Sequence, residues 1–214
     1  MTDTLKSFCC LGKDTMMLPT HALSGMVLAL PVALVAPEFA GIALAAGLIG
    51  GILPDLDMYV GHRKTLHYPV YYSLLAAVAV PLAVVVATAG TVALALVAVA
   101  AAVHSVTDVF GGGLELRPWE ATSDRAVYDH YNGRWVAPRR WIRYDGAPED
   151  FLLSVTLAVP LFVAVDGPLQ WVVAGAVAVA GVYVALRRIL ATAAQHAVAL
   201  LPERVHPYVP ARYR

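Results

Sequence analysis

Long apolar runs broken by short polar punctuation dominate this chain. From Tyr68 to Val103 there are 36 consecutive residues without Asp, Glu, Lys, Arg or His, and Gly167 to Leu186 gives another 20. A helix needs about 20 largely apolar residues to cross a bilayer, with about 17 the lower limit. The longer run therefore holds two spans, with a break near Thr88-Ala89-Gly90-Thr91. The whole pattern gives six apolar segments: Leu18 to Ala36, Phe39 to Leu53, Pro69 to Thr88, Thr91 to Phe110, Phe151 to Val165 and Pro168 to about Leu190. A weaker stretch, Ala191 to Leu201, continues the last of these or lies on the surface. In the glycine-rich second segment, the Gly47/Gly51 spacing marks a face where helix backbones can approach closely.

Connections alternate between tight and long. Pro37-Glu38, Ala89-Gly90 and Asp166-Gly167 read as tight turns. The long pieces are the N-terminal tail, Pro54 to Tyr68, Gly111 to Asp150, and the C-terminal tail. With six spans, all four long pieces fall on one side. None of the 15 Lys and Arg residues lies in a tight turn, so the positive-inside rule puts the long loops and both termini in the cytoplasm. The expected fold is all-α: a polytopic transmembrane helix bundle of about six spans, with a 40-residue cytoplasmic loop. Residues 1–17 form an N-terminal tail, 18–201 the membrane domain and 202–214 a C-terminal tail. Loop 111–150 carries Trp119, Trp135 and Trp141, six arginines and seven acids, which favours an interfacial cap over a free linker.

Composition agrees: 59% of residues are hydrophobic and 14% charged, against about a quarter charged in soluble domains. Zero net charge gives no bulk attraction for nucleic acid. The adjacent Cys9 and Cys10 imply no disulfide framework. The first sixteen residues lack the apolar core and cleavage site of a signal peptide, and Met16-Met17 is a plausible alternative start.

Against this apolar background the ionisable residues stand out, because such groups are costly beside hydrocarbon. His21 opens the first span, and Asp55 and Asp57 follow the second. His62 and His67 lie in the next loop, and His104 and Asp108 close the fourth span. His104 and Asp108, four apart, share one helix face. Asp55 and Asp57 flank Leu56, and in an extended turn both carboxylates point to one side. By the six-span topology these groups meet at one membrane level. Imidazoles with carboxylates suit zinc, manganese or iron. Taken singly, each has a plainer role as an interhelical hydrogen bond, a solvated turn or an interfacial anchor. Arg63 is a candidate phosphate clamp, the alternative being a snorkelling interfacial side chain. His130, His196 and His206 read as structural or surface residues.

The strings THALSG at 20–25, PDLD at 54–57, HRKTLH at 62–67 and HSVTD at 104–108 resemble the YdjM-like inner-membrane metal-dependent hydrolases. They are also similar in pattern to the zinc-dependent phospholipase C and single-strand nuclease superfamily. The resemblance covers about residues 17–119. It departs at Leu66 and Tyr68, which flank the second His where the family has Thr and Ser. It implies a divalent metal, zinc first, held by His21, Asp55, His67, His104 and Asp108, with Asp57 and His62 as supporting or alternative ligands. It also implies hydrolysis of a phosphoester, such as a lipid headgroup, at the cytoplasmic interface. There, Asp57 would accept a proton from water and Arg63 would hold phosphate. The rival expectations are an ion or proton transporter, and a non-enzymatic scaffold locked by metal. No H-E-x-x-H, G-x-S-x-G or phosphate-loop motif is present.

Overall fold

A computed structural model describes residues 16–59, 61–202, 204, 205 and 209. Cys9, Cys10 and His206 lie outside them. The chain is mostly helical: α1 Leu18–Val35, α2 Ala40–Ile52, α3 Pro69–Val85, α4 Ala89–Thr107, α5 Pro148–Ala164 and α6 Pro168–Ala199. Short 3-10 turns extend two of these: Leu53–Tyr59 follows α2 and Asp108–Phe110 follows α4. Among the described residues four segments are long and apolar enough to cross a membrane: Leu18–Val35, Pro37–Met58, Ala89–Phe110 and Pro168–Ala199. Helices α3 and α5, at 17 residues each, sit at the lower limit.

Several boundaries differ from the sequence pattern, each for a local reason. Ala89-Gly90 is not a turn but the first turn of α4. The Thr88 hydroxyl accepts from Thr91 N, and Thr91 reciprocates to Thr88 N, so this capping box starts the helix earlier. Helix α5 starts at Pro148, whose fixed φ suits a first helical position, and takes Glu149 and Asp150 into its first turn. Helix α6 runs unbroken through 191–199, so the weaker apolar stretch continues the last segment. At 32 residues α6 is about 48 Å long and outruns a hydrocarbon core of about 30 Å.

Helices α1 and α2 pack most extensively, and glycine makes their crossing possible. A methyl group on Gly25 would meet the Gly47 carbonyl, one on Gly47 would meet that of Gly25, and one on Gly51 would meet that of His21. The backbones touch, as the Gly47/Gly51 spacing predicts. Helix α4 packs on α2 and α3, while α1 also contacts α5 and α6. Leu23, Met26, Leu44, Leu96, Leu161 and Val173 lie in the core among these helices.

Loop 111–147 is not purely irregular. It contains a two-stranded antiparallel hairpin, β1 Val127–Asp129 with β2 Arg134–Val136, within a fold that is otherwise all-α as expected. Tyr128 and Trp135 pair across it, 5.4 Å between ring centroids, and Asp129 accepts Tyr131 N and Asn132 N in its turn. The projecting half of α6 anchors this loop. Arg187 binds Asp145 (3.1 Å), Arg117 binds Gln195, and Leu116 packs with Ala191 and Val198.

Candidate metal centre

The polar groups singled out from sequence gather at one end of the bundle, each placed by a different element. His21 is in the first turn of α1, Asp55 and Asp57 are in the 3-10 turn after α2, and His62 to His67 form the loop into α3. His104 and Asp108 close α4. All seven are buried, as is Arg63.

Four of them form a ring. Asp55, His67, His104 and Asp108 each offer an atom, all within 4.8 Å of one another. His67 Nε2 lies 3.1 Å from Asp108 Oδ2 and 3.7 Å from Asp55 Oδ1. His104 Nε2 lies 3.5 Å from Asp55 Oδ1 and 3.6 Å from Asp108 Oδ2. Ligands about 2.0–2.1 Å from a tetrahedral zinc are separated by about 3.3 Å, so these four separations bracket the required edge. Asp55 Oδ1 and His104 Nε2 are buried with no hydrogen-bond partner among the described residues. Orphaned buried polar atoms are costly, and a cation between them would satisfy both.

The imidazoles are oriented from behind. His104 Nδ1 donates to the Gly51 carbonyl at 2.6 Å, so that in the neutral ring the Nε2 lone pair would face the ring of four. His67 Nδ1 donates to Asp57 Oδ2 at 3.1 Å, the carboxylate–histidine arrangement that supports metal-binding imidazoles. Burial opposes charge on His67, but its bonds to Asp108 and Asp57 outweigh that and raise its pKa above the ordinary value. With the imidazoles neutral, as metal ligands would be, Asp55, Asp57 and Asp108 against Arg63 leave two negative charges in a buried volume, which a divalent ion would balance in place of an imidazolium. The cluster can hold a metal ion.

Asp55 and Asp57 do not point to one side, because the turn is 3-10 and not extended: Asp55 faces the ring and Asp57 the 61–67 loop. Asp57 accepts from His62 Nδ1 (2.9 Å), Arg63 N (3.3 Å), Leu66 N (3.0 Å) and His67 Nδ1. Its oxygens are occupied in shaping that loop. His21 stands outside the group of four. Its ring stacks on His104 and its Nε2 donates to Asp108 Oδ1 at 2.9 Å, leaving Oδ2 to the ring. His62 belongs to a second, smaller group with Asp57 and His67; burial lowers its pKa to about 4 against the pull of Asp57.

Arg63 does not snorkel; it is fully buried. Its Nη1 donates to the carbonyls of Gly112 (2.8 Å) and Ala126 (3.2 Å), its own carbonyl accepts from Tyr128 N, and its Nε lies 3.7 Å from Asp108 Oδ2. Arg63 thus joins the hairpin to the ring. His130 bonds the Lys64 carbonyl and His196 that of Thr192, both structural as expected.

Asp150 was not legible as a site residue. Fully buried, it accepts from Met17 N (2.8 Å), Thr20 Oγ1 (2.6 Å) and Gly146 N (3.2 Å), and so caps α1 from another helix, next to His21. A carboxylate in the first turn of an apolar helix gives no sign in sequence of a partner 130 residues away. Comparison with family models, with curated proteins and with solved structures finds no match for this chain.

Proposed function

We propose that this protein is an integral-membrane, metal-dependent hydrolase of the YdjM-like kind, acting on a phosphoester at the cytoplasmic face of the inner membrane. In this reading α3 and α5 also span, giving six spans, with both termini and the long loops cytoplasmic. Zinc is the metal that best fits two imidazoles and two carboxylates, with manganese or iron as alternatives. The single observation that carries the reading is the pair of orphaned atoms, Asp55 Oδ1 and His104 Nε2, 3.5 Å apart within the ring. A bound divalent metal supplies a water of lowered pKa and a Lewis acid for the phosphoryl oxygens.

The chain's own residues divide the remaining work. Asp57 holds the 61–67 loop and orients His67, in place of the proton-accepting role expected from sequence. His21 fixes the Asp108 carboxylate. Helix α1 and the hairpin cover the cluster and limit access to it. A transporter site is disfavoured because the cluster lies at one end of the bundle and not near its middle. One observation favours a metal-locked scaffold as a second reading: every residue of the cluster is buried beneath the loop.

Elemental analysis of the purified wild type beside a His104→Ala/Asp108→Ala variant, with hydrolysis assays on phosphomonoesters, phosphodiesters and phospholipids, tests the proposal. The expected result is a stoichiometric metal in the wild type, none in the variant, and turnover only in the former. Bound metal without turnover on any substrate would leave the scaffold; no metal would remove both readings.

A further inference from the structure

Arg63 has a buried two-pronged edge that no described residue engages. Its Nη1 is spent on the Gly112 and Ala126 carbonyls, whereas Nε and Nη2 are buried without hydrogen-bond partners. Nε and Nη2 lie on one edge of a guanidinium, the edge that clasps carboxylates and phosphates with two parallel bonds. Arg143 uses the same edge on Glu149, through Nε at 2.7 Å and Nη2 at 2.9 Å. Among the described residues no acceptor does this for Arg63. Asp108 Oδ2 stands 3.7 Å from Nε, too far for a hydrogen bond, and Asp145 is taken by Arg187 and Tyr183. Leaving such donors unmet in a buried site is costly. The residue is also held at φ +57°, a left-handed backbone uncommon outside glycine, by the Asp57 and Tyr128 contacts.

Resting on the metal reading above, we infer that the Nε/Nη2 edge of Arg63 is a phosphoryl-binding subsite adjoining the metal, so that one group bridges guanidinium and ion. The class of ligand follows from counting oxygens. The fork takes two and the metal a third; a carboxylate has only two, while a phosphoryl group has enough for both. The same Asp108 oxygen that borders the fork belongs to the ring, which puts the two subsites side by side. Entry requires the β1–β2 hairpin to shift, because its Ala126 and Tyr128 roof Arg63. Bridging makes the two ligands mutually reinforcing: each tightens the other by the same factor.

The test is the affinity of the full-length, detergent-purified protein for Mn2+, with and without inorganic phosphate. Phosphate should tighten Mn2+ binding about ten- to hundredfold, the range for a charge-assisted pair of hydrogen bonds, and acetate should not. Arg63→Lys keeps a cation but loses the fork; it should bind Mn2+ and lose the phosphate effect. Nanodiscs with and without phosphatidic acid distinguish the source. Tightening there assigns a lipid headgroup, tightening by inorganic phosphate alone assigns a soluble phosphate, and either supports the subsite. Mn2+ binding by the wild type with no response to either phosphate overturns the subsite while leaving the metal centre standing, and it needs no variant to fold. A wild type that binds no Mn2+ removes the metal reading and this one with it.

Discussion

Replacing Asp57 with Asn separates a positioning carboxylate from a proton acceptor. The side chain keeps its shape, but one of its two oxygens becomes an NH2 that cannot accept. If the amide nitrogen takes the Oδ1 position, His62 Nδ1 and Arg63 N lose their acceptor; at Oδ2, Leu66 N and His67 Nδ1 lose theirs. Either way two donors are stranded, both buried at Oδ1 and one of them part-buried at Oδ2. At about 1–3 kcal/mol each the cost is about 2–6 kcal/mol, and the lower end is expected because the Arg63 N contact is long at 3.3 Å. Losing the support behind a metal-binding imidazole weakens metal affinity about 10- to 100-fold. Chelator competition reads the affinity, and circular dichroism during SDS titration in mixed micelles reads the stability. The reasoning is refuted if Asp57→Asn binds metal and unfolds like the wild type. Should turnover alone then be lost, Asp57 is a proton acceptor after all.

Three further outcomes are expected. Gly47→Ala should destabilise the bundle by about 1–3 kcal/mol, because the new methyl meets the Gly25 carbonyl and backbone cannot yield, whereas Gly175→Ala, with nothing within 4 Å, should be neutral in the same SDS titration. For metal-free protein, the His62 pKa is lowered from 6.5 to about 4, so the folded state prefers the neutral ring. Stability should be complete above about pH 6.5 and fall by up to about 3 kcal/mol towards pH 4, a slope that His62→Gln would flatten. With Cys9 and Cys10 replaced, a cysteine at Lys64 should be shielded from an impermeant thiol reagent in intact cells and one at Asp166 labelled; equal labelling of both would end the six-span topology.

The sequence carried the apolar segments and the residues of the cluster because both depend on local chemistry. A run of uncharged residues reads as a buried or spanning helix wherever it goes, and His104 with Asp108 share a face by helical period alone. What it did not carry is which polar atom meets which. Asp55 and Asp57 would align in an extended chain, but a 3-10 turn advances about 120° per residue, so two positions splay the carboxylates apart. The His67 ring spans that gap, Nδ1 on Asp57 and Nε2 facing Asp55 and Asp108, and this turns two similar acids into one orienting group and one candidate ligand. Arg63 and Asp150 show the same limit. Their partners lie up to 133 positions away and are mostly backbone atoms, which no side-chain motif encodes. Those long-range contacts decide whether the cluster is a site or a lock. Asp150 fastens α1 beside His21, and Arg63 fastens the hairpin over the ring, so the centre opens only if one of them lets go. Of the two, Arg63 is the one with donors to spare, so an arriving anion would engage the roof and the ion at the same point.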